Sequence, residues 1–305
     1  VVGDTVVYPA AAYMEMAFSA SNSHFNRDIH EICDFDISHP MVLEEGQSKE
    51  TQFMLSIDDL RFSIKSKDRL SEQDWSEHAT GRIVKSISGF KEVNIDIGAL
   101  KLAAFKIIQA DKIYEHANDY NLAYGPCWRG IETVWLGEDS VLGRIKTLAS
   151  LNVESDKFIL HPIVMDSAFH ILFPLLTDSG KFHRGRSFVP TAISQTIINR
   201  DSDAIEYCTC KVEEYGSKSI IASFQLLDRN GNCVVTISNC LFREIPVQDK
   251  KIKSPSVFHA NLISKNYIQP EMISPLPTND DIAKYLKDLS LPESVIQAEQ
   301  NFNNL

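Results

Sequence analysis

Two short stretches of the chain are apolar on every side, and each is entered through a proline. The first is Tyr8-Pro9-Ala10-Ala11-Ala12-Tyr13-Met14-Glu15-Met16-Ala17-Phe18; the second is His161-Pro162-Ile163-Val164-Met165-Asp166-Ser167-Ala168-Phe169-His170-Ile171-Leu172. Proline at the first helical position gives up no hydrogen bond, and nearly every residue after Pro9 favours a helix. Pro174 is expected to end or kink the second helix. A helix without a polar face must be enclosed, since any side left in water exposes apolar surface. The segments that follow each helix supply the enclosure. After the first come strand-like runs at Glu31–Ser38, Thr51–Ile57, Leu60–Lys65 and Ser76–Ile87. After the second come Phe188–Asn199, Ile205–Glu214, Ser219–Asp228 and Cys233–Ile245, with shorter runs at Ile131–Leu136 and Val141–Leu148 ahead of it. Asn230-Gly231, inside the turn Asp228 to Asn232, is the strongest short-range hairpin signal.

A sheet curled around a central helix is thus expected twice, about 150 residues apart, as a duplicated architecture of α+β class. The expected halves are residues 1–100 and 101–248, with an amphipathic helix at Asp111–Tyr120 between the strand runs. From about Asp249 the chain changes character. Ser254-Pro255, Ser274-Pro275-Leu276-Pro277 and a short helical stretch at Asp280–Leu289 mark residues 249–305 as a linker or the edge of a neighbouring region.

Composition narrows the function classes. A net charge of −11 argues against nucleic acid as main partner, because phosphate binding needs a concentrated positive surface. No run approaches the roughly 18 apolar residues of a membrane span. The start, Val1-Val2-Gly3-Asp4, carries no basic region or cleavage site of a signal peptide and no initiator Met, so a piece of a longer protein is expected. The cysteines (Cys33, Cys127, Cys208, Cys210, Cys233 and Cys240) form no Cys-x-x-Cys and stand beside no histidines at zinc spacing, so no metal site is expected. Cys208 and Cys210 read as buried thiols, Cys127 as a small packing residue, and the setting as reducing and cytoplasmic.

No phosphate loop, Gly-x-Gly-x-x-Gly, Gly-x-Ser-x-Gly or His-Glu-x-x-His is present, so chemistry has to come from isolated acids and histidines in a pocket. Asp166 is the charged residue of the second apolar helix. Burial raises a carboxyl pKa and favours a protonated acid able to donate. The helix dipole opposes this weakly, and a carboxylate bonding free backbone N–H groups at the helix start is the alternative. His170, four residues on, shares its face and would fix the carboxyl's orientation, or is a satisfied core histidine. Lys181-Phe182-His183-Arg184-Gly185-Arg186 is the densest basic cluster, read either as a solvated loop or as a phosphate or acidic-protein contact.

These residues carry a family resemblance. Leu160 to His170 resembles the Asp-x-x-x-Gln/His motif of dehydratase domains in polyketide synthases and animal-type fatty acid synthases. Tyr124-Gly125-Pro126-Cys127-Trp128-Arg129-Gly130 is similar to that family's Tyr-Gly-Pro-x-Phe motif, with Trp128 in place of Phe. Trp75-Ser76-Glu77-His78-Ala79-Thr80-Gly81 resembles its Trp-x-x-His-Ala-x-Gly strand, and Val1 to Ala17 its segment ending Tyr-x-Glu-Met-Ala. The resemblance implies a double hot dog, in which two antiparallel sheets each wrap a mostly apolar helix. It implies dehydration of a 3-hydroxyacyl thioester on an acyl carrier protein to the 2-enoyl thioester. Asp166 would be the acid and His170 its orienting partner; Tyr124, Gly125, Pro126, Val189, Pro190 and Pro9 would shape the acyl site. Tyr124 is equally a structural tyrosine, and Pro190 equally an edge-strand proline. Lys181, Arg184 and Arg186 would meet the carrier or its phosphopantetheine phosphate. The helix starts at Pro9 and Pro162 would offer N–H groups to the thioester carbonyl.

The expected partners are the carrier protein and other megasynthase domains, with homodimerisation compatible and neither nucleic acid nor membrane involved. No cofactor is expected beyond the phosphopantetheine that carries the substrate. The family's base is the His of His-x-x-x-Gly-x-x-x-x-Pro, and counting nine back from Pro9 reaches the residue before Val1. Asp4 takes the motif's Gly place, with Gly3 one position early. His24, His30 and His78 read as solvated or structural. A catalytically silent dehydratase-like domain, or an isomerase or cyclase on the same scaffold, is the competing expectation.

Overall fold

The computed structural model describes residues 1–245 except positions 4, 26–29, 45, 70, 73, 85–92, 139, 152, 154–157, 181–184 and 200–204, all within the unit Val1–Ser256. The linker expected at 249–305, its helical stretch, and the basic positions Lys181 and Arg184 lie outside the described residues. The first half comprises α1 (Ala10–Phe25), β1 (His30–Ile37), β2 (Lys49–Leu55), β3 (Arg61–Asp68) and β4 (Ser76–Ile83). Next come α2 (Ile97–Ala103), β5 (Lys106–Gln109), α3 (Ala110–Asp119), β6 (Ile131–Leu136) and β7 (Val141–Ile145). Then follow α4 (Pro162–His170), α5 (Leu172–Ser179), β8 (Ser187–Ile198), β9 (Ile205–Tyr215), β10 (Ser219–Asp228) and β11 (Cys233–Ile245).

The strands form one sheet in the order β2-β3-β4-β1-β8-β11-β10-β9-β7-β6-β5, with every neighbouring pair antiparallel. One end curls over α1, which packs on β1 and β4; the other encloses α4, which packs on β6, β7, β9 and β10. This is the double hot dog. All nine residues of α4 are buried, and α1 buries Ala10 to Glu15 together with Ala17 and Phe18, as their sequences demand. The helices also touch each other, so the two cores meet in the middle.

Several details differ from expectation. The strands do not pair in chain order: β1 pairs with β4 rather than β2, and β8 with β11 rather than β9. Burial decides this: β1 and β8 join the halves through His30–Ile198 and the pairs that follow, and each needs partners on both edges. Pro9 sits just before α1, with its carbonyl accepting from Ala12 N–H (3.0 Å), and the helix runs on to Phe25. Pro174 breaks the second helix as expected: α4 stops at His170, four residues before it, where the ring would clash with the preceding turn, and Pro174 itself lies in the first turn of α5. α2 and β5 go unanticipated, although Asp96 caps α2 by accepting from Ala99 N–H (2.9 Å). The expected division at 100/101 falls inside α2, whose Ile97 and Leu100 pack with Leu142 and Tyr207 of the second half.

Candidate active site

α4 is built to hold two polar side chains in an apolar interior. His161 precedes it, and its Nδ1 accepts from Ile163 N–H (3.1 Å) while its carbonyl accepts from Val164 and Met165. Only a neutral imidazole can accept there, and burial drives the His161 pKa down to about 4. The same bonds occupy the first free amides of α4. The expectation that the helix start at Pro162 serves a thioester carbonyl is therefore corrected: His161 has taken those donors. At α1, Ala10 and Ala11 N–H make no backbone hydrogen bond within the described residues.

Asp166 and His170 lie one turn apart, and His170 Nε2 stands 3.1 Å from Asp166 Oδ2. His170 Nδ1 stands 3.1 Å from the Tyr114 hydroxyl, which accepts from Ile131 N–H at 2.9 Å. These bonds favour one arrangement of protons. With its oxygen already accepting from Ile131, the Tyr114 O–H is assigned as donor to Nδ1, which places the His170 proton on Nε2, donated to Asp166. Aromatic rings lock the imidazole, with Tyr124 at 4.2 Å, Tyr114 at 5.5 Å and Phe173 at 5.6 Å between centroids. Burial raises the Tyr114 and Tyr124 hydroxyl pKa values, and the Asp166 charge adds to both shifts. The two members of the pair differ in access: the His170 side chain has 0% of its surface exposed, that of Asp166 13%. Asp166 can touch a bound molecule, whereas His170 can only orient Asp166.

The amino-terminal segment is stitched between the halves. Val1 and Ala123 exchange N–H···O bonds (2.9 Å each), Val2 bridges Leu122, and Gly3 N–H reaches Asn121 O at 2.8 Å. On the other side Leu43 N–H donates to Val6 and Tyr8 N–H to Met41.

The remaining expected residues fall into place unevenly. Tyr124 packs on His170, but its hydroxyl makes no hydrogen bond within the described residues, so the expected bond near Asp166 is not formed. Gly125 and Pro126 open the short 3-10 turn Pro126–Trp128. Cys127 is exposed, which corrects its expected role as a packing residue, while Cys208 and Cys210 are buried. Gly130, at the end of the same motif, matters more than expected, because a Cβ there would overlap Ser167 Oγ and lie 3.0 Å from Ser167 Cβ. Val189 and Pro190 are half-buried on β8, where Pro190 faces Phe242 beside a bulge, before the pairing with β1 begins. Arg186 is held by both Glu244 oxygens and the Ser217 carbonyl. His24 is exposed; His30 bonds Ser21 (3.2 Å), and His78 bonds Ser66 (2.7 Å) and the His39 carbonyl (3.2 Å), as structural histidines do.

Sequence reasoning missed Tyr114, which sits on the apolar face of α3 and reads as core, and Glu15. Glu15 is the one acid of α1, and the reasoning that singled out Asp166 applies equally to it. Among the described residues no helix is long and apolar enough to cross a membrane, and no group of His, Cys, Asp and Glu is placed to hold a metal ion.

Comparison with known proteins agrees with this geometry. The family described as polyketide synthase dehydratase N-terminal domain matches residues 106–251, and the polyketide synthase dehydratase domain matches residues 1–67. Polyketide synthase PksM of Bacillus subtilis is 28% identical over 189 residues, which is 59% of this chain and 4% of that protein. Mycoketide-CoA synthase of Mycobacterium tuberculosis is 22% identical over 257 residues, 83% of this chain and 6% of that protein. The chain therefore spans a small fraction of these multidomain relatives. A crystal structure of an inactive mutant of the CurJ dehydratase, in complex with a compound, superposes with a TM-score of 0.70 at 25% identity, covering 80% of this chain and 85% of that one. A trans-AT polyketide synthase dehydratase domain from Brevibacillus brevis gives a TM-score of 0.69 at 23% identity, covering 81% and 88%. The chain belongs to the family of polyketide synthase dehydratase domains, and its fold is theirs.

Proposed function

We propose that this domain removes water from a 3-hydroxyacyl thioester carried on an acyl carrier protein within a polyketide synthase, giving the 2-enoyl thioester. The observation that carries the reading is the Asp166 carboxyl: its Oδ2 is held by a buried His170 while part of the group stays accessible. In the reaction a base takes the C2 proton, that electron pair forms the C2–C3 double bond, and the C3–O bond breaks. The departing hydroxyl takes the Asp166 proton and leaves as water. The base is a histidine immediately before Val1 in the longer protein. What supports this is the antiparallel pairing of Val1 with Ala123, which continued one residue backward would run toward Tyr124, whose ring lies on His170. Base and acid would then come from separate elements, the amino-terminal segment and α4.

Ala10 and Ala11 N–H, at the start of α1 behind Pro9, are the donors for the thioester carbonyl as charge develops on it. Tyr124, Gly125, Pro126, Val189 and Pro190 shape the acyl tunnel, and Lys181, Arg184 and Arg186 meet the carrier or its phosphate. The phosphopantetheine arm belongs to the substrate, and the chemistry calls for no other cofactor. Six free cysteines support a reducing, cytoplasmic setting.

The test is product analysis by mass spectrometry with a synthetic 3-hydroxyacyl thioester and the parent polypeptide that includes the residue before Val1. Loss of one water is expected, abolished in Asp166→Asn and in the chain that begins at Val1. A residue other than histidine before Val1, or full turnover by Asp166→Asn, rejects the reading.

A further inference from the structure

The second lone carboxyl of the molecule has a task that the reaction itself does not explain. Glu15 lies on α1 with 3% of its surface exposed and no cation paired to it among the described residues. Its Oε1 accepts from Ile159 N–H (2.9 Å) and from the Ser19 hydroxyl (2.8 Å), and its Oε2 accepts from Leu160 N–H (2.8 Å). Burial raises its pKa against the lowering effect of these donors. A helix–loop contact of this kind is ordinarily made by apolar side chains, because a buried carboxylate without a counter-charge is costly. What the carboxylate offers instead is direction, since two convergent N–H bonds hold a backbone at one place in a way that apolar packing does not.

The place it holds is specific. Ile159 and Leu160 run directly into His161, whose Nδ1 and carbonyl start α4. Asp166 follows within about one and a half helical turns, with no flexible segment between. α4 is fixed to its own half at Ser167, which faces Gly130, and at His170, which is bonded to Tyr114. Glu15 ties it to α1 instead, across 144 and 145 positions of sequence, on the half that carries Pro9.

We propose that Glu15 is a positioning residue: by fastening the Ile159–Leu160 backbone to α1, it sets where Asp166 stands relative to α1 and the half that carries it. Its importance for catalysis rests on the dehydratase reading, whereas its effect on the Asp166–His170 pair does not.

Glu15→Gln keeps the shape but can accept only through one atom, and turns an amide NH₂ toward an N–H donor. In the full chain this variant should speed hydrogen exchange at Ile159 and Leu160 about tenfold or more. It should also move the His170 ring ¹⁵N resonances, which report the bond to Asp166. In the parent polypeptide kcat should fall about tenfold while KM stays within about twofold, as displacement of a group needed in the transition state requires. Ser19→Ala, which removes the third donor and leaves the tie to Ile159 and Leu160 intact, should change none of these. Faster exchange with unmoved His170 resonances overturns the proposal and leaves Glu15 a loop anchor; unchanged exchange overturns it outright. Should Glu15→Gln fail to fold, Glu15→Asp, which withdraws the same acceptor by one methylene, is read against the same outcomes. If the wild-type parent dehydrates nothing, the dehydratase reading fails, and exchange and ring resonances still decide the case of Glu15.

Discussion

Replacing Tyr114 with phenylalanine separates two things its side chain does. The ring packs edge-on against His170, with centroids 5.5 Å apart, and phenylalanine keeps that contact. The hydroxyl accepts from Ile131 N–H and donates to His170 Nδ1, and both partner residues are fully buried. Phenylalanine therefore leaves one donor and one acceptor without partners and out of reach of water. Each such group costs about 1–3 kcal/mol, and some relaxation is expected, so Tyr114→Phe should destabilise by about 2–4 kcal/mol. Urea unfolding measures this as a lower midpoint at an unchanged slope. Tyr124→Phe is the internal control. Its ring lies closer to His170, at 4.2 Å, but its hydroxyl makes no hydrogen bond within the described residues, so the expected cost is under about 0.5 kcal/mol. The same comparison applies to turnover. Without the Tyr114 O–H nothing holds the His170 proton on Nε2, and turnover should drop further in Tyr114→Phe than in Tyr124→Phe. Equal stabilities for the two variants would refute the bonding pattern from which the His170 tautomer was deduced.

Three further outcomes follow from the site and its surroundings. Gly130→Ala drives a methyl group into Ser167 and should cost about 1–3 kcal/mol, read as a lower Tm, with partial recovery when Ser167→Ala removes the overlapping hydroxyl. His161 titrates near 4 when folded and near about 6.5 when unfolded. Its contribution is therefore whole above about pH 6.5 and is lost as pH falls toward about 4, by on the order of 3 kcal/mol. Stability measured against pH should show a shallower fall across that window in His161→Asn, which still offers a capping acceptor to Ile163. Replacing Arg184 and Arg186 with alanine should weaken use of carrier-bound substrate and spare a short thioester mimic; equal loss with both substrates would mean that Arg186 serves only its ion pair with Glu244.

Much of the fold was legible because its signals are local. Ile131–Leu136, Ser219–Asp228 and Cys233–Ile245 form strands at the expected limits, where alternation and the Asn230-Gly231 turn leave little choice. Strand order was not legible, since nothing in the sequence of β1 says that it will pair with β4 and β8. That choice is made by the need to close a sheet over α1, which is a property of the assembled core. Tyr114 was hidden for a related reason: on α3 it stands among Ile113 and Ala117, all buried, and only the approach of His170 from another helix gives its hydroxyl a task. His161 was quoted within its motif but not as a cap, although a polar residue immediately ahead of Pro162 is where a cap belongs.

The two lone carboxyls show where reading by residue type stops. Asp166 and Glu15 each sit in an apolar helix near an entry proline, and composition ranks them alike. What separates them is how many of their lone pairs are already taken. Glu15 has a donor on each oxygen, three in all, and is closed to solvent, so a substrate has no access to it and it acts on the backbone it holds. Asp166 receives one donor, at Oδ2, and keeps accessible surface. The proposed transfer of a proton to a departing hydroxyl needs an oxygen free of donors; among the described residues Asp166 Oδ1 is such an oxygen, whereas both oxygens of Glu15 are engaged. Exchanging the two roles would require moving Ile159 and Leu160 away from Glu15, which would also release the start of α4 and with it Asp166.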